Sequence, residues 1–219
     1  MRDIPLFTTE NGIASLLLKK IPYTKEAYVH IRDSISCMKL LKECVDICRM
    51  AGADTVHATG HDDLAGYPEY CAVYRYKVLK EDLPATEAIV VPISTEQKAW
   101  WRQIYNSKMA QVPGAAPLSD SDLDQLITEN KAFCIYKGCS AIGIGVAYAG
   151  EIQAIASVTP GGGWDSVIAL AKSLSSEYVS LTVASTNRKA ICLYKSLGFL
   201  ETETEAVWYK IFDVLRKNA

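Results

Sequence analysis

The feature that most constrains how this chain can fold is the segment Val183–Phe199, which reads VASTNRKAICLYKSLGF. Its first residues end an apolar run, Val179–Ala184, whose β-branched side chains favour a strand. Asn187 follows where an asparagine can cap a helix, and Arg188–Leu197 has the apolar spacing of one. Gly198 stands where a glycine commonly ends a helix. The segment therefore predicts a strand, a turn and a capped helix in direct succession.

The chain from about Ala85 to the end is predicted to alternate strands and helices. In chain order, the other predicted elements are the strand Ala88–Ile93, helices from Ser94 to Met109 and from Ser119 to Glu129, the strands Ala132–Tyr136, Ile142–Tyr148 and Ile152–Val158, the helix Ser166–Leu174, and strands near Thr202 and at Val207–Phe212. Both serines stand three residues before a side chain that completes a capping box. A helix joins Ile152–Val158 to Val179–Ala184, which predicts a parallel pair in a mixed α/β sheet. The first of these strands is nearly all apolar, as is typical of a strand covered on both faces.

A polar stretch with a proline, Lys80–Glu87, has the character of a linker. It predicts two domains, residues 1–84 and 85–219. In the first domain we expect strands at Ile13–Ile21, Ala27–Ile31, Thr55–Thr59 and Cys71–Val78, with a helix at Ile35–Ala51. One apolar stripe of this helix is expected to face a core. Its residues are Met38, Leu41, Val45 and Cys48.

The composition excludes several classes of partner. Apolar residues make up 49% of the 219 and charged residues 22%, which is ordinary for a globular protein. The net charge of −2 and the pI of about 6.0 give no basic surface for nucleic acid or an anionic membrane. No apolar run approaches the roughly 20 residues that cross a bilayer, and the N-terminus lacks the apolar stretch of a signal peptide. We therefore expect a cytoplasmic protein that binds neither nucleic acid nor a membrane.

The cysteines do not predict a disulfide framework. Their number, seven, is odd, and no two of them form a C-x-x-C pair. We expect reduced and mostly buried thiols, and no metal site. Cys44 and Cys48 stand one helical turn apart, but no further ligand stands at a zinc-site spacing. His57 and His61, which precede two aspartates, permit a metal or catalytic interpretation, but ordinary surface histidines are expected there.

The segment Val183–Phe199 resembles one that GNAT N-acetyltransferases carry late in the chain, where an Asn follows a strand and a helix runs through A-x-x-L-Y to Gly-Phe. The matching residues are Asn187, Ala190, Ile191, Leu193, Tyr194, Gly198 and Phe199. Core packing and a C-cap account for most of these residues, but they do not explain the spacing of Tyr194 from Asn187 and Gly198. The resemblance covers about residues 85–212, some three-fifths of the chain. It implies the acyl-coenzyme A-binding fold of that family.

The resemblance implies transfer of an acetyl group from acetyl-CoA directly to a primary amine of a small molecule or a peptide. In this family two parallel strands splay apart, and the pantetheine arm lies between them. Ile152–Val158 and Val179–Ala184 would be that pair, with the pyrophosphate at the N-terminus of the intervening helix, where free amides favour an anion. The residues implied to bind acetyl-CoA are Ala156, Val158, Gly161, Gly162, Gly163, Trp164, Asp165, Ser166, Asn187 and Tyr194.

The expected pyrophosphate loop departs from the pattern of the family, Q/R-x-x-G-x-G/A. Gly163 stands where Gln or Arg is expected, and Ser166 and Ile168 replace the two small residues. Consecutive glycines from Gly161 can still form an anion-binding turn. Asp165 would repel a pyrophosphate unless it caps the helix. The departure leaves a second hypothesis open, a non-catalytic protein that binds CoA or another anion, or that acts as a scaffold.

The resemblance also implies roles in catalysis. Tyr194 matches the acid that protonates the departing thiolate, and a phenol with a pKa of about 10 suits that role. A strand amide near Val158 is expected to stabilise the oxyanion. For the general base, Glu151 is the first candidate and Tyr148 a weaker one, and a chain of water molecules is a third alternative.

The pocket for the acceptor amine is predicted to involve the helix pair Glu96–Met109 and Ser121–Glu129. Trp100, Trp101 and Tyr105 are the aromatic candidates for its pocket, although aromatic residues at helical spacing more often pack in a core. The acceptor is not predicted more closely than a primary amine, and a homodimer stays open.

The first predicted domain resembles part of the second. The order strand, helix, strand, short turn, strand recurs. The strand centres Val29 and Val56 are 27 residues apart, as are Ala154 and Leu181. We interpret residues 1–84 as a degenerate half of the same fold, without the Asn and the Tyr of the second domain. Such a piece would cover an open sheet edge. A chance similarity in the order of elements is the alternative.

Overall fold

The computed structural model describes residues 1–110 and 112–213. They form two compact units. Unit 1 consists of residues 1–73, 112–117 and 204–213, and unit 2 of residues 74–110 and 118–203. The divisions fall inside two long strands, β5 (Glu69–Leu79) and β11 (Leu200–Asp213). The domain boundary expected after residue 84 stays a prediction.

Unit 1 contains a β-sheet and one long helix. Its elements in chain order are β1 (Ile4–Thr9), β2 (Gly12–Leu17), α1 (Ile21–Thr24), β3 (Glu26–Ser34), α2 (Cys37–Met50), β4 (Thr55–Thr59), a 3-10 helix (Asp62–Gly66), the first part of β5 and the last part of β11. The strand order is β1-β2-β3-β4-β11, in which β3 and β4 are parallel and the other neighbours antiparallel. The predicted succession of strand, helix and strand over residues 27–59 is therefore confirmed.

The buried face of α2 differs from the predicted stripe. Met38 is 46% exposed, and Val45 is only partly buried. The residues that α2 buries are Cys37, Leu40, Leu41, Cys44 and Cys48. They share a core with Leu16, Val29 and Val56 of the sheet. Because apolar residues occur on more than one side of this helix, only its packing decides which stripe is buried.

The N-terminal strands also differ from the prediction of one strand at Ile13–Ile21. β2 ends at Leu17, because the chain then forms the single turn of α1, in which Pro22 takes an early position. Lys25, at a φ of 59°, leads from this turn into β3. β1 was not predicted, and it pairs antiparallel with β2.

Unit 1 also contains a buried group of polar side chains. His57 on β4 is 1% exposed, so the expectation of a surface histidine is wrong for this residue. Its ring stacks between Tyr28 and Tyr70, at centroid distances of 5.0 and 3.9 Å. Glu26 Oε1 lies 3.9 Å from Nε2 of His57, and Glu26 Oε2 accepts a hydrogen bond from the Tyr28 hydroxyl at 3.0 Å. The cluster depends on residues far apart in the chain, so no local pattern predicted it.

Unit 2 contains the second sheet region, with helices on it. Its elements in chain order are the last part of β5, a 3-10 helix (Lys80–Asp82), β6 (Ile89–Pro92), a 3-10 turn (Thr95–Gln97), α3 (Lys98–Met109), α4 (Asp120–Thr128), β7 (Ala132–Lys137), β8 (Ser140–Tyr148), β9 (Glu151–Ser157), α5 (Gly163–Ser173), β10 (Tyr178–Ala184), α6 (Arg188–Ser196) and the first part of β11. The strand order from β5 is β5-β10-β9-β8-β7-β6. β6 to β9 pair antiparallel, and β9 and β10 are parallel, as predicted.

The helices of unit 2 cover opposite faces of its strands. Adjacent strand residues point to opposite faces. Cys134 and Val146 belong to the core that contains Trp101 of α3. Their neighbours Ile135 and Ala147 belong to the core that contains α5. The mixed α/β class predicted from the sequence is thus confirmed, with helices on both faces.

The stretch Lys80–Glu87 is packed into unit 2. Leu83 is 3% exposed and belongs to the core that contains α5. Lys80 Nζ donates a hydrogen bond to Leu174 O at 2.7 Å, and Lys80 N donates to Glu177 O at 2.9 Å. Its proline and charged residues suggested a linker, but one buried leucine and these hydrogen bonds hold it in place.

Both predicted capping boxes are present. Gln97 Oε1 accepts from the amide of Ser94 at 3.2 Å, and Ser119 Oγ accepts from the amide of Asp122 at 3.2 Å. The two strands predicted near residue 202 and at 207–212 are one continuous strand, β11. Among the residues that the structure describes, no helix is long and apolar enough to span a membrane. The cysteines are free, and of them only Cys139 and Cys192 are exposed.

Candidate functional site

The parallel pair β9–β10 opens into a gap. The strands are paired where Glu151 faces Ser180 and where Ile152 faces Leu181, and the pairing then stops although both strands continue. Ser180 N also donates to Gly150 O at 3.0 Å, which closes the near end. The splay that the family resemblance implied for these two strands is therefore present.

A β-bulge in β9 accounts for the gap. Val146 of β8 pairs with Ala154, but the next residue, Ala147, pairs with Ile152. Gln153 is therefore an extra residue on β9. A bulge increases the local twist and re-aims its strand. Because the bulge directly follows the last pair with β10, it turns the rest of β9 away from that strand.

Beyond the bulge, β9 directs two backbone amides into the gap. Val158 N donates to Ile142 O at 2.9 Å, so this amide points toward β8 and is not available to a ligand. Ala156 is two residues earlier and has the same direction. Backbone groups alternate along a strand, so the amides of Ile155 and Ser157 point the other way. The Val158 amide is therefore occupied, and the amides near it that face the gap belong to neighbouring residues.

β9 is not covered on both faces, contrary to the prediction. Ile152 and Ala156 are buried, whereas Gln153 is exposed. The residues that are only partly buried are Glu151, Ala154, Ile155 and Ser157. The apolar composition of this strand was interpreted as complete burial. The residues of β9 after Ile152 instead border the open gap, so the apolar side chains of Ala154 and Ile155 are only partly covered.

The turn before α5 requires glycine at two positions. Gly161 has a φ of 79°, where a side chain is strained. A Cβ on Gly162 would lie 2.7 Å from Ile142 O, which is closer than real Cβ atoms come. Gly162 N donates to Thr159 O at 3.1 Å. These contacts hold the turn tightly against β8.

The N-terminus of α5 presents unused amides. α5 begins at Gly163, three residues earlier than predicted, so Trp164 and Asp165 lie in its first turn. The amides of these three residues make no hydrogen bond within residues 1–110 and 112–213. Free amides at the positive end of a helix are suited to an anion.

Asp165 does not cap α5, so capping does not remove its charge from the start of the helix. Its Oδ2 pairs with Lys137 Nζ at 2.7 Å, and its Oδ1 accepts from Thr86 Oγ1 at 2.7 Å. Lys137 first, and then Thr86, hold the pKa of Asp165 below its usual range. The paired carboxylate therefore repels a nearby anion less than an isolated one would.

Ser166 directs its polar groups into the fold. It is fully buried, and its hydroxyl donates to Gly162 O at 2.6 Å. Its amide donates to the same carbonyl at 3.0 Å. A Cβ on Gly143 would collide with this hydroxyl, so β8 and α5 approach closely there. Ser166 thus shapes the turn, and its predicted contact with acetyl-CoA stays a prediction.

Asn187 caps α6, as the sequence predicted. Its Oδ1 accepts from Ala190 N at 3.2 Å, and the side chain is exposed. Its backbone amide donates to Ala184 O at 2.9 Å. Its side-chain nitrogen, Nδ2, donates no hydrogen bond to any residue that the structure describes, so this donor is available to a ligand.

Tyr194 lies on α6 and is 7% exposed. Its ring contacts Phe199 at a centroid distance of 5.7 Å. Burial raises the pKa of Tyr194 to about 12. The hydroxyl makes no hydrogen bond within the described chain. The fully buried polar atoms without a partner there belong to Glu43 and His57, so this hydroxyl retains access to solvent. The phenol is protonated at neutral pH, and the raised pKa makes it a weaker acid than a tyrosine in water.

Glu151 lies at the closed end of the gap and is not isolated. Its Oε1 lies 3.4 Å from Arg75 Nη1. Arg75 Nη1 also lies 3.5 Å from Ser180 Oγ, and its Nε lies 3.2 Å from Glu203 Oε1. The sequence did not single out Arg75, because it stands 76 residues before Glu151. A basic role for Glu151 requires that it exchange this ion pair for the acceptor.

Tyr148 is the cross-strand partner of Glu151. Its side chain is 42% exposed, and Lys131 Nζ lies 4.1 Å from the centre of its ring. The cation over the ring and the solvent around it make Tyr148 a surface residue beside the closed end of the gap.

A shallow apolar depression adjoins the gap on the side of α3. The residues that line it are Tyr105, Met109, Ile144, Gly145, Ala154, Ile155 and Ala156. Of the three aromatic candidates for an acceptor pocket, only Tyr105 is among them. Trp101 is fully buried, and its indole donates to Phe133 O at 2.9 Å. Trp100 is 37% exposed, away from this lining.

No family model matches the chain, and no curated protein matches it in sequence. Solved structures match it in fold. A GCN5-related N-acetyltransferase from Anabaena variabilis aligns over 90% of this chain and 58% of its own, with a TM-score of 0.59 and 9% identity. A GCN5-related N-acetyltransferase from Sphaerobacter thermophilus aligns over 91% and 76%, with a TM-score of 0.54 and 12% identity.

A tandem GNAT protein from the clavulanic acid biosynthesis pathway aligns over 92% of this chain and 78% of its own, with a TM-score of 0.50 and 12% identity. At such identities the likeness shows the fold alone, and the fold is that of the GNAT acyltransferases. Each of these alignments spans nine-tenths or more of the chain. The likeness in fold therefore extends beyond the three-fifths that the sequence resemblance covered.

Proposed function

We propose that this chain, with its GNAT acyltransferase fold, is an N-acetyltransferase that moves an acetyl group from acetyl-CoA to a primary amine of a small molecule or a peptide. The observation that carries the proposal is the gap between β9 and β10. Strand amides without a partner are costly, and a ligand that hydrogen-bonds like a strand satisfies them. The pantetheine arm of acetyl-CoA contains amide groups and is such a ligand.

The start of α5 fits the anionic part of acetyl-CoA. The amides of Gly163, Trp164 and Asp165 have no partner among the described residues, and the helix dipole adds to their attraction for a pyrophosphate. Gly161 and Gly162 would let its oxygens approach the turn closely. The departure from the loop of the family therefore changes side chains and leaves the backbone donors in place.

The walls of the gap fit the rest of the cofactor. Ala156 and Val158 present small or medium apolar side chains on the side of α3, where the arm would need contact without obstruction. The exposed amide group of Asn187 offers a donor at the far end, beside the start of α6. In this proposal the cofactor residues border one path for acetyl-CoA, which runs from the start of α5 to the bulge in β9.

Acetyl-CoA supplies a thioester whose carbonyl carbon an amine can attack. The amides of Ile155 and Ser157 are the donors proposed to hold the carbonyl oxygen as it gains negative charge. They belong to a strand that the sheet keeps in place, so they would need little reorganisation during the reaction. Tyr194, a buried phenol that is protonated at neutral pH, is proposed to give its proton to the departing thiolate.

Glu151 is proposed to accept the proton that the acceptor amine loses. It stands beside the closed end of the gap, where its Oε1 lies 3.4 Å from Arg75 Nη1. A cationic amine would compete with Arg75 for this carboxylate. Tyr148 and a chain of water molecules remain the alternatives. The depression lined by Tyr105 and Met109 would receive an apolar part of the acceptor.

The test measures binding before turnover. Isothermal titration of the full chain with acetyl-CoA should give one site in the micromolar range, and mass spectrometry of a panel of amines with acetyl-CoA should reveal an acetylated product. Product detection is preferable to thiol release, because Cys139 and Cys192 are exposed and would react with thiol reagents. Absence of heat and of thermal stabilisation at millimolar acetyl-CoA would refute the proposal.

A non-catalytic protein that binds CoA or another anion is the second candidate. The observation in its favour is the close approach of α6 to α5. A Cβ built on Gly163 would be in van der Waals contact with Leu193 Cδ2, at 3.4 Å, so α6 packs close to the first residue of α5. Binding of CoA and of acetyl-CoA with equal affinity, and no product from any amine, would support this candidate instead.

We also propose that residues 1–84 derive from a half of the same fold. The pairing of the parallel strands has the same register in both units: Thr55 is 29 positions beyond its partner Glu26, and Ser180 is 29 positions beyond Glu151. A tandem GNAT protein is among the structures of similar fold, which supports an internal duplication. This half lacks counterparts of Asn187 and Tyr194, so no transfer activity is proposed for it.

A further inference from the structure

Unit 1 brings together three side chains that are typical metal ligands. Cys37 is the first residue of α2, and His61 and Asp63 stand in the turn that follows β4. One ligand atom from each of the three lies within 4.8 Å of the others. The cluster belongs to unit 1, so the function proposed for unit 2 does not use it.

The backbone that carries these side chains is well fixed. The amides of Ile35 and Ser36, just before Cys37, both donate to Asn11 O, at 2.9 and 3.1 Å. Cys37 itself is only 5% exposed. On the other side, Gly60 has a φ of 97°, and a Cβ there would lie 2.2 Å from Ile31 O. The turn that presents His61 is therefore held against β3.

The two other ligands are free to adjust. The side chains of His61 and Asp63 are 34% and 57% exposed, and His61 Nδ1 lies 3.6 Å from Asp63 Oδ2. The amide of Asp63 donates to the same Nδ1 at 3.1 Å, so this nitrogen carries a lone pair directed toward the turn. Zinc bonds of about 2.0–2.3 Å place tetrahedral ligand atoms roughly 3.5 Å apart. Rotation of the exposed side chains can bring the ligand atoms from within 4.8 Å of one another to about 3.5 Å. His61 Nδ1 would then bind the metal instead of accepting from the Asp63 amide.

We propose that Cys37, His61 and Asp63 bind one zinc ion, which links the start of α2 to the turn after β4. A thiolate, an imidazole and a carboxylate together favour zinc over magnesium or calcium, which prefer oxygen ligands. The group contains three ligands among the described residues, so a water molecule would take the fourth position. The ligands join two segments of unit 1 that are 24 residues apart in sequence, Cys37 and His61, so the ion acts as a structural link.

The sequence did not predict this site. Cys37 has no potential ligand near it in sequence. His61 was considered with His57 and the two aspartates that follow it, but not with Cys37, and the ring of His57 is buried elsewhere in unit 1. The fold decides the set of ligands, because it places the N-terminus of α2 beside the end of β4.

The experiment uses the full chain with Cys139→Ser and Cys192→Ser, since these two exposed thiols would bind metal on their own. Titration of the metal-free protein with zinc should give one site with a Kd in the micromolar range or tighter. Cobalt at the same site should show a thiolate-to-metal charge-transfer band. A saturating concentration of zinc should raise the midpoint of thermal unfolding by about 5 °C.

The variants Cys37→Ser and His61→Ala should each weaken zinc binding at least tenfold and remove the charge-transfer band. Cys48→Ser, a buried cysteine on the same helix, and Asp62→Asn, next to the proposed ligands, should bind as the parent does. No stoichiometric binding at 100-fold excess of zinc over protein, or equal binding by His61→Ala, would overturn the proposal. His61 is partly exposed, so its variant keeps the test valid if Cys37→Ser fails to fold.

Discussion

The two parallel strand pairs of this molecule start alike and end differently. In unit 1, β3 and β4 pair from Glu26–Thr55 to His30–Thr59 without interruption. In unit 2, β9 and β10 pair in the same register at Glu151 and Ile152 and then separate. A glutamate begins both pairs, and each glutamate has a cation near it. Lys20 Nζ lies 3.8 Å from Oε2 of Glu26, and Arg75 Nη1 lies 3.4 Å from Oε1 of Glu151.

The position of one extra residue explains the difference. On β3 the bulge falls at Arg32, since Ile13 pairs with Asp33 and Ala14 with Ile31, and it comes after the last pair with β4. On β9 the bulge falls at Gln153, immediately after the second pair with β10. An early bulge opens a gap, whereas a late one leaves the pair closed. The gap that the proposed cofactor arm requires is therefore present in unit 2, whereas the corresponding strand pair of unit 1 is closed.

Of the changes that test this comparison, deletion of Gln153 should have the largest effect, which is on acetyl-CoA binding. Without the extra residue, Ile152 and Ala154 would be adjacent and would keep their present faces, and β9 could continue along β10 as β3 does along β4. We expect acetyl-CoA binding, measured by isothermal titration, to weaken at least 100-fold. The thermal unfolding midpoint should stay the same or rise, because more strand backbone is paired.

Gln153→Ala is the matched control, because it keeps the bulge and should bind as the parent does. If the deletion variant does not fold, Ile155→Pro removes an amide that faces the gap without loss of a ladder hydrogen bond, and it should weaken binding too. Normal affinity in both variants would mean that the gap is not the cofactor site.

Tyr194→Phe should have the next largest effect, on turnover alone. Loss of a general acid typically slows a reaction by about 100-fold or more. We expect kcat for amine acetylation to fall by roughly that factor, and the Kd for acetyl-CoA to stay within about twofold. Tyr178→Phe, an exposed tyrosine on β10, serves as control and should have no effect. Equal loss in both variants would exclude Tyr194 as the acid.

Gly60→Ala should destabilise unit 1 by about 2–4 kcal/mol, measured by urea denaturation, because of its positive φ and the collision of a Cβ with Ile31 O. Gly66→Ala in the same turn has open space around it and should cost less than about 1 kcal/mol. A similar cost for the two would show that the turn after β4 is less constrained than its geometry indicates.

The smallest effect is expected from Asp165→Asn. Loss of the carboxylate removes its ion pair with Lys137 and a negative charge near the amides at the start of α5. Acetyl-CoA should bind up to about threefold more tightly, because surface charges are screened. Weaker binding would show that the Asp165–Lys137 pair helps to hold the turn.

The same carboxylate has a defined pH dependence. Its pKa is lowered in the folded protein, so its contribution to stability is present above the pKa of the unfolded chain, about 3.9, and is lost as pH falls through the lower folded value. The parent should therefore lose more stability than Asp165→Asn as the pH is lowered below about 4. Parallel acid denaturation curves for the two proteins would contradict this.

Much of unit 2 could be predicted because its signals are local. Ser94, Ser119 and Asn187 cap helices through atoms three residues away, and such contacts do not depend on the rest of the fold. The parallel order of β9 and β10 follows from the helix between them. The Asn–Tyr–Gly spacing also indicated the fold that solved structures share.

Other features could not be predicted, because they depend on neighbours far along the chain. Arg75 meets Glu151 only because β5 supplies residues to unit 2. Apolar residues lie on several sides of α2, so periodicity alone did not identify Leu40 and Cys44 as its buried residues. The bulge at Gln153 is defined by pairing with another strand, and no residue pattern marks it.

The sequence by itself determined the capped helix after β10, the alternation of strands and helices, and a net charge close to zero. The first two rest on contacts within a few residues, and the net charge follows from the composition. Tertiary structure alone decided where the strand pair opens, which amides of β9 face the gap, and which of the predicted side chains are buried. The physical reason is that a gap, a bulge and a cluster of ligands are properties of how two segments pack, and each segment has the same local preferences in either arrangement.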